Sequence, residues 1–328
     1  MRPRHVILLF FCFCFSFADP PTARADDEAS GIERIRTQLG SDSYATRRKG
    51  VLALMLLQHP ERDKMLLGLL SDRDWRIRAM VVRGALRFQD PKARFKLIEM
   101  LSDVNANVRA DAARVMGSLR ERRAVTALIG LLKDKVIAVR RAAVDALIAL
   151  RAPGAQEALL AALSSPNGEF RVHVIRALGY LRVERAVVPL LGLLANRHAA
   201  TRKEAIDALM RIGVRPSQLP PIIARLGDAE QIVRNAAVHA CRISRDIRCV
   251  VPLAKLIADR ESYLQNKAVQ TLGIIGHRDA IPYLLKALDP RNGQLYDGII
   301  ASLKKLSGVD HGSDRDAWVR WWNAEQKK

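Results

Sequence analysis

The fold is decided by a 31-residue pattern that occurs three times in succession. It is AVTALIGLLKDKVIAVRRAAVDALIALRAPG at residues 124–154, AQEALLAALSSPNGEFRVHVIRALGYLRVER at 155–185 and AVVPLLGLLANRHAATRKEAIDALMRIGVRP at 186–216. Ala93 and Ala280 open comparable segments on the same spacing. A period of about 31 residues is typical of proteins built by stacking one supersecondary unit many times.

Single residue types recur with the same period. An arginine returns once in each repeat, and a column of aspartate or asparagine lies six residues before it. The arginines are Arg47, Arg78, Arg109, Arg140, Arg171, Arg202 and, after one inserted residue, Arg234. The second column holds Asp72, Asp103, Asp134, Asn196, Asp228 and Asp259. Paired columns of opposite charge need no ligand, so we interpret them as scaffold contacts between a turn and the adjacent helix start, or the next repeat.

Each repeat predicts two helices. In the repeat at 124–154 the first helix covers 125–132, a polar turn follows at 133–135, and the second helix covers 139–150. Apolar residues recur at helical spacing in both helices, and on the second helix they share one face. Because neither helix can bury its apolar face alone, the repeats must stack. The sequence therefore predicts an all-α, right-handed α-solenoid of about nine helix pairs, beginning near residues 32, 63, 93, 124, 155, 186, 217, 249 and 280.

The order of features within a repeat resembles the HEAT repeat. An apolar first helix is followed by an aspartate in the turn and then by Val-Arg, Ala-Ala and Ala-Leu, and the similarity is closest to the short bacterial repeats of phycobilin-lyase-like proteins. It covers about residues 32–308. The resemblance implies a HEAT/armadillo-like superhelix whose second helices line the concave face, and it implies little about function. We expect this solenoid to occupy residues 26–308.

The C-terminal segment predicts a cap. Residues 306–322, LSGVDHGSDRDAWVRWW, resemble a tail found on some bacterial HEAT-repeat proteins. Trp318, Trp321 and Trp322 lie at i, i+3 and i+4, which is one helix face, and Ser313 or Asp314 suits a helix N-cap. We therefore expect a tryptophan-rich capping helix within residues 309–328.

The N-terminal segment 1–25 has the plan of a secretory signal peptide. Arg2 and Arg4 precede the apolar run VILLFFCFCFSFA at 6–18, and Ala-Arg-Ala at 23–25 fits an A-x-A cleavage site. The apolar run is too short for a membrane anchor, which needs about 20 residues. We therefore expect a leader at 1–25 and a periplasmic or secreted mature chain, 26–328.

Removal of this leader would leave two cysteines, Cys241 and Cys249. An oxidising compartment permits a bridge between them. The repeat places Cys241 where neighbouring repeats carry leucine, which favours a pair of buried thiols.

Partner-binding residues are expected on the exposed face of the second helices. By our alignment of the repeats, 21 positions there hold seven basic and two acidic residues. A nucleic-acid groove interleaves aromatic side chains for base stacking, and one aromatic residue, a tyrosine, lies among these positions. The mixture of charged, amide and apolar groups favours a protein partner. The candidate residues are Arg83, Arg114, Arg141, Arg176, Tyr180, Lys203 and Arg211.

Signatures of catalysis and of metal binding are missing from the sequence. No histidine is followed by glutamate, which excludes H-E-x-x-H metalloproteases and speaks against a resemblance to di-iron HEAT-repeat hydroxylases. G-x-S-x-G, Walker, G-x-G-x-x-G and C-x-x-C motifs are also missing. The acidic segment with Asp310, His311, Asp314 and Asp316 lacks a recognised ligand spacing and favours a polar loop with a helix cap. We expect no catalytic, cofactor or metal site.

These observations favour a non-enzymatic scaffold in the cell envelope that binds a protein or peptide on its concave face. The alternative is an electrostatic binder of polyanions such as nucleic acid, anionic lipid or an envelope polymer. The net charge of +20 motivates it, and the charge is +18 once Arg2, Arg4, Arg24 and Asp19 leave with the leader. A lyase-like enzyme subunit ranks third, because the resemblance extends to the scaffold alone.

Overall fold

The computed structural model describes residues 21–88 and 93–327, and every regular element in these residues is helical. The predicted leader, 1–25, lies outside the described residues except for its last five, which form the first turns of α1. The chain divides into two compact units, the first ending at Lys96 and the second spanning Leu97–Lys328.

Unit 1 contains α1 (Pro21–Leu39), α2 (Tyr44–Leu56), α3 (Arg62–Gly68) and α4 (Trp75–Gly84), and α5 (Ala93–Glu99) contains the boundary. Unit 2 continues with α6 (Ala106–Ser118), α7 (Val125–Leu131), α8 (Ile137–Ala149), α9 (Gln156–Ala162), α10 (Gly168–Tyr180), α11 (Val187–Leu193), α12 (Ala199–Ile212), α13 (Pro220–Ile223), α14 (Gln231–Ser244), α15 (Val250–Lys255), α16 (Ser262–Ile275), α17 (Ile281–Ala287), α18 (Gly293–Ser307) and α19 (Arg315–Glu325). Short 3-10 turns lie at Leu69–Ser71, Ala85–Arg87, Met100–Ser102, Arg122–Ala124, Pro153–Ala155, Glu184–Ala186, Pro216–Gln218, Ala224–Gly227, Ile247–Cys249, Leu256–Ala258 and Arg278–Ala280.

The helices α1 to α18 form nine consecutive pairs in the described residues, which confirms the predicted all-α repeat architecture. In unit 2 the second helix of each pair packs beside the second helix of the next pair, from α6 through α8, α10, α12, α14 and α16 to α18. The expected apolar face of α8 is its buried face, since Val139, Ala143 and Leu147 are fully buried. The small residues Ala142 and Ala146 complete it and let neighbouring helices approach.

Two glycines set how closely adjacent second helices pack. A Cβ atom at Gly117 of α6 would lie 2.8 Å from Cα of Ala146 on α8, and one at Gly179 of α10 would lie 2.8 Å from Cα of Ala208 on α12. The equivalent residue on α8 is Ile148, and α8 packs less closely on α10 than on α6. The distance between packed helices depends on the side chains at their contact. The spacing between α8 and α10 is therefore wider than the spacing on either side of it.

The arginine and aspartate columns form a ladder between consecutive repeats, as the scaffold interpretation predicted. Arg109 donates from Nε to Oδ2 of Asp134 at 2.8 Å, and Nη1 also donates to the carbonyl of Asp103 at 2.7 Å. Each such arginine thus joins its own turn to the turn of the next repeat. The same ion pair recurs, with both side chains nearly buried, in Arg47–Asp72, Arg202–Asp228 and Arg234–Asp259.

The C-terminal helix α19 packs against α17. Asp314, rather than Ser313, is its N-cap and accepts a hydrogen bond from the backbone N–H of Ala317 at 3.0 Å. Trp318 is fully buried, and its indole N–H donates to the carbonyl of Gly312 at 3.0 Å. α19 thus follows the last helix pair of the described residues and buries Trp318 beside it.

The expectation of two free thiols is wrong, because a disulfide joins Cys241 to Cys249. Cys241 lies in the last turn of α14, and Cys249 lies in the 3-10 turn that leads into α15. The intervening chain reverses direction and brings the two Cα atoms to 5.9 Å, well within the range of a disulfide. Register in the repeat indicated correctly that both residues are buried, but it carried no information on the distance between them.

Candidate functional site

Four of the seven candidate residues converge on two neighbouring helices. Arg176 and Tyr180 lie on α10, and Lys203 and Arg211 lie on α12. The structure groups them around Glu204, a carboxylate that sequence analysis did not select. These five residues are called the Glu204 cluster below.

Glu204 is held as a carboxylate at the centre of this cluster. Its side chain is 3% exposed, and Arg176 donates to both of its oxygens, at 3.2 Å and 3.0 Å. Lys203 Nζ lies 3.9 Å and Arg211 Nη1 3.6 Å from its oxygens. Burial acts to raise the pKa of Glu204, but the Arg176 hydrogen bonds and the three positive charges outweigh it, so the pKa is lowered. Glu204 therefore ties α10 to α12 in the charged state.

Arg211 and Tyr180 form the exposed part of the cluster. The guanidinium carbon of Arg211 lies 4.7 Å from the centre of the Tyr180 ring, which is the geometry of a cation–π contact. Tyr180 is 56% exposed. Nη1 of Arg211 is buried and has no hydrogen-bond partner among the described residues. An exposed aromatic ring and an arginine therefore lie side by side, and both residue types are enriched where interfaces gain most of their affinity.

The other three candidates lie elsewhere. Arg114 on α6 pairs with Asp111 of the same helix at 2.7 Å. Arg141 on α8 pairs with Glu169 of α10 and donates to His173 Nε2 at 3.2 Å. Arg83 lies on α4 in unit 1 and is exposed. The structure therefore brings four of the seven candidates together and gives Arg114 and Arg141 partners outside the Glu204 cluster.

A cleft adjoins the Glu204 cluster where α8 and α10 are widely spaced. Its volume is about 870 Å³. Apolar groups and arginines line it together, and no aspartate or glutamate is among the lining residues. They are Ile148, Arg151, Pro153, Gln156, Gly179, Tyr180, Leu181, Arg182 and Arg211. Tyr180 and Arg211 thus belong both to the cluster and to the wall of the cleft.

Glu204 had no clear signal in the sequence. Its repeat column contains Asp111, Ala142 and His173 in the preceding repeats and Ala236 in the repeat that follows, so the column predicts neither burial nor charge. The candidate residues came from columns expected to be exposed, and Glu204 lies outside them. Arg151 and Arg182 were missed because they follow the second helices rather than lying on them.

Within residues 21–88 and 93–327, no three His, Cys, Asp or Glu side chains are grouped so that they could hold a metal ion. Asp310 instead pairs with Lys304 at 2.8 Å and accepts a hydrogen bond from the backbone N–H of Gly312 at 2.7 Å.

Among the helices of residues 21–88 and 93–327, none combines the length and the apolar character that crossing a membrane requires.

Comparison with known families matches three overlapping segments, 95–168, 156–242 and 220–304, to the family described as HEAT repeats. Together they cover well over half of the chain. The chain belongs to the HEAT-repeat family. No curated protein matches the sequence significantly.

Solved structures share this HEAT-repeat fold at low sequence identity. The X-ray structure of the E. coli protein YibA is 19% identical with a TM-score of 0.56, and the match covers 82% of this chain and 98% of that one. An engineered protein is also 19% identical with a TM-score of 0.53, covering 84% and 88% of the two chains. A weaker likeness, with a TM-score of 0.43 and 19% identity, is to the complex of CpcE and CpcF of phycocyanin lyase from Nostoc sp. PCC7120, over 77% of this chain and 97% of that one.

In a HEAT-repeat chain, contacts that recur from repeat to repeat can be assigned to the scaffold. Groups that occur at one place are candidates for binding. The Arg–Asp ladder recurs from repeat to repeat and is nearly buried, so it belongs to the scaffold. The Glu204 cluster and the adjoining cleft occur at one place in unit 2 and include exposed groups. They are therefore the candidate binding residues of this HEAT-repeat chain.

Proposed function

We propose that this chain is a non-enzymatic scaffold that binds a protein or peptide on the second-helix face of unit 2. The observation that carries the proposal is the contact between Tyr180 and Arg211, an exposed ring beside a cation at the mouth of an open cleft. HEAT-repeat stacks present extended surfaces of this kind to protein partners. Tyrosine and arginine are the residue types that most often dominate such interfaces.

We propose further that the chain acts in the cell envelope after export. Two features support this location. The first is the signal-peptide pattern of residues 2–25. The second is the disulfide between Cys241 and Cys249, because structural disulfides persist in oxidising compartments and are rare in the cytosol. Cell fractionation with N-terminal sequencing tests the proposal: a mature chain beginning at Asp26 in the envelope fraction supports it, and an uncleaved cytosolic chain contradicts it.

Polyanion binding is the second candidate, because the net charge is +20. Ion pairs such as Arg176–Glu204, Arg202–Asp228 and Arg234–Asp259 do not reduce this surplus, because the net charge already counts every carboxylate. The two candidates differ in salt dependence. Neutralising phosphates releases counterions, so affinity for a polyanion falls steeply as salt is added, whereas a well-packed protein interface is less sensitive.

Affinity capture from the native envelope fraction distinguishes the two functions. The bait is the full chain as exported, and each capture is repeated at low and at high salt. The test variant is Tyr180→Ser, and its matched control is Val188→Ser, which changes an exposed apolar residue of the first helix α11. A discrete protein that survives high salt, is lost with Tyr180→Ser and is kept with Val188→Ser supports the scaffold. Retention of polyanions alone, lost as salt rises, overturns it.

A further inference from the structure

Arginine occupies a backbone position in this chain that normally favours glycine. A residue just after the second helix has a positive φ in seven consecutive repeats of unit 2, and in three of them it is Gly213, Gly276 or Gly308. In the other four it is arginine: Arg120 (φ 53°), Arg151 (φ 47°), Arg182 (φ 50°) and Arg245 (φ 51°). A side chain in this left-handed region crowds its own backbone, whereas glycine adopts the region without cost.

The backbone around these arginines has the hydrogen bonds of a common helix C-terminus. After α8, the N–H of Arg151 donates to the carbonyl of Ile148 at 2.9 Å, and the N–H of Ala152 donates to the carbonyl of Leu147 at 3.1 Å. This pair of bonds ends helices in which glycine is the usual residue at the left-handed position. These backbone hydrogen bonds do not require arginine at the left-handed position. Strained backbone positions of this kind often coincide with functional sites.

Two of the four arginines line the same cleft. Arg151 and Arg182 follow α8 and α10, the neighbouring second helices that bound the cleft, and both side chains are exposed. Within the part of the chain that the structure describes, no carboxylate and no hydrogen-bond acceptor pairs with either guanidinium. Glu157, which follows the lining residue Gln156 in the chain, pairs instead with Arg185. The cleft therefore presents two uncompensated cations together with Arg211.

The rest of the lining indicates what these cations bind. Ile148, Leu181 and the ring of Tyr180 line the cleft together with the arginines, and Gln156 adds an amide. A nucleic acid would need several rings for stacking, and Tyr180 is the one aromatic residue in the lining. A peptide that carries both carboxylates and apolar side chains matches both kinds of lining group, because the guanidinium fork fits a carboxylate with two hydrogen bonds.

We propose that the cleft between α8 and α10 binds an acidic peptide segment whose carboxylates pair with Arg151 and Arg182. Its apolar side chains contact Ile148, Leu181 and Tyr180. This inference rests on the proposed function, since it names the chemistry of the partner segment and the place where it docks. Arg120 and Arg245 share the left-handed backbone without lining the cleft, so the proposal assigns binding to the two arginines whose side chains are exposed in the cleft.

The probe for this proposal is a short fluorescent peptide that alternates glutamate with leucine, and its control has glutamine in place of glutamate. Anisotropy titrations of the full chain are made at an ionic strength of about 0.15 M. The variant is Arg151→Gly with Arg182→Gly. Glycine relieves the backbone at both positions, so the variant keeps its fold, and an unchanged or raised melting temperature verifies this. The matched control is Arg245→Gly, which removes a left-handed arginine that does not line the cleft.

The proposal predicts that the glutamate peptide binds and the glutamine peptide does not. The double variant weakens binding about tenfold or more, as expected for the loss of charge-assisted hydrogen bonds, and Arg245→Gly leaves the affinity unchanged. The proposal is overturned if Arg245→Gly weakens binding as much as the double variant does, or if the glutamate peptide does not bind. It is also overturned if inorganic phosphate or single-stranded DNA displaces the peptide at equal concentration. If the glutamate peptide does not bind, but capture of a protein from the envelope fraction still depends on Tyr180, this inference is refuted. The proposed function is not refuted by that result.

Discussion

Arg202 and Asp228 join two successive helix pairs through a two-point contact. Arg202 Nε lies 2.9 Å from Asp228 Oδ2, and Nη2 lies 2.6 Å from Oδ1. The same arginine donates from Nη1 to the carbonyl of Asn196 at 2.8 Å, so one side chain fixes the turn of its own repeat and the turn of the next. Because both side chains are nearly buried, each compensates a charge that would otherwise be expensive to bury.

The first prediction concerns removal of one member of this pair. Arg202→Met removes both short hydrogen bonds to the buried carboxylate of Asp228 and leaves it the longer pair with Arg225 at 3.6 Å, so we expect it to lower the free energy of unfolding by about 2–3 kcal/mol. Arg185→Met is the matched control, since the Arg185–Glu157 pair is exposed on both sides and should change stability by less than about 0.5 kcal/mol. Urea denaturation measures both. Equal effects of the two substitutions would show that the ladder does not carry the stability assigned to it.

The second prediction is acid sensitivity of the same ladder. Burial acts to raise the pKa of Asp134 and Asp228, but the paired arginines and backbone N–H groups outweigh it, so both pKa values lie below the ordinary value of 3.8. A carboxyl whose pKa is lower in the folded state stabilises the fold fully above its unfolded pKa. That contribution is lost as the pH falls through the lower, folded pKa. Asp228→Asn should therefore show a smaller loss of stability than the wild type between about pH 6 and about pH 3. An identical acid dependence in the two proteins would contradict this assignment.

The third prediction compares two glycines. Gly179→Ala places a Cβ atom 2.8 Å from the backbone of Ala208 and forces α10 away from α12, which we expect to cost about 1–3 kcal/mol. Gly192→Ala, inside α11, meets nothing within 4 Å and should stabilise the protein by about 0.5–1 kcal/mol because alanine favours the helix. Thermal unfolding of both variants checks the opposite signs. A neutral Gly179→Ala would mean that the close spacing of α10 and α12 does not depend on this glycine.

Features of this chain that repeat along the sequence were predictable from it, and features that occur once were not. The helix pairs and their buried faces recur in the repeats, and the Arg–Asp pair recurs in several of them, so the columns in the sequence carried these features; Arg140 and Arg171 instead donate to backbone carbonyls. Glu204, Arg151 and Arg182 do not belong to any column that the sequence singled out. The bridge between Cys241 and Cys249 depends on the path of a single loop. A feature that occurs once forms no column when the repeats are aligned. We expect binding at such features rather than at the repeated positions.

The fourth prediction concerns the disulfide. Replacing Cys241 and Cys249 by serine removes a cross-link between residues eight apart. The short loop it closes corresponds to about 2.5 kcal/mol of stability by the loop-entropy relation. Thiol titration of the denatured, unreduced protein should detect no free thiol from these two residues. Recovery of two thiols from protein purified without reductant would contradict both the bridge and the argument for an oxidising compartment.

Site-specific photo-crosslinking in intact cells tests whether the second-helix face is the binding surface. A benzophenone amino acid replaces Tyr180 on the second-helix face or, in a separate protein, Val188 on α11, so that each reports the molecules within its immediate reach. We predict a discrete protein adduct from position 180 that is missing at position 188. Adducts that are equally strong at both positions, or confined to position 188, would contradict the assignment of the second-helix face as the binding surface.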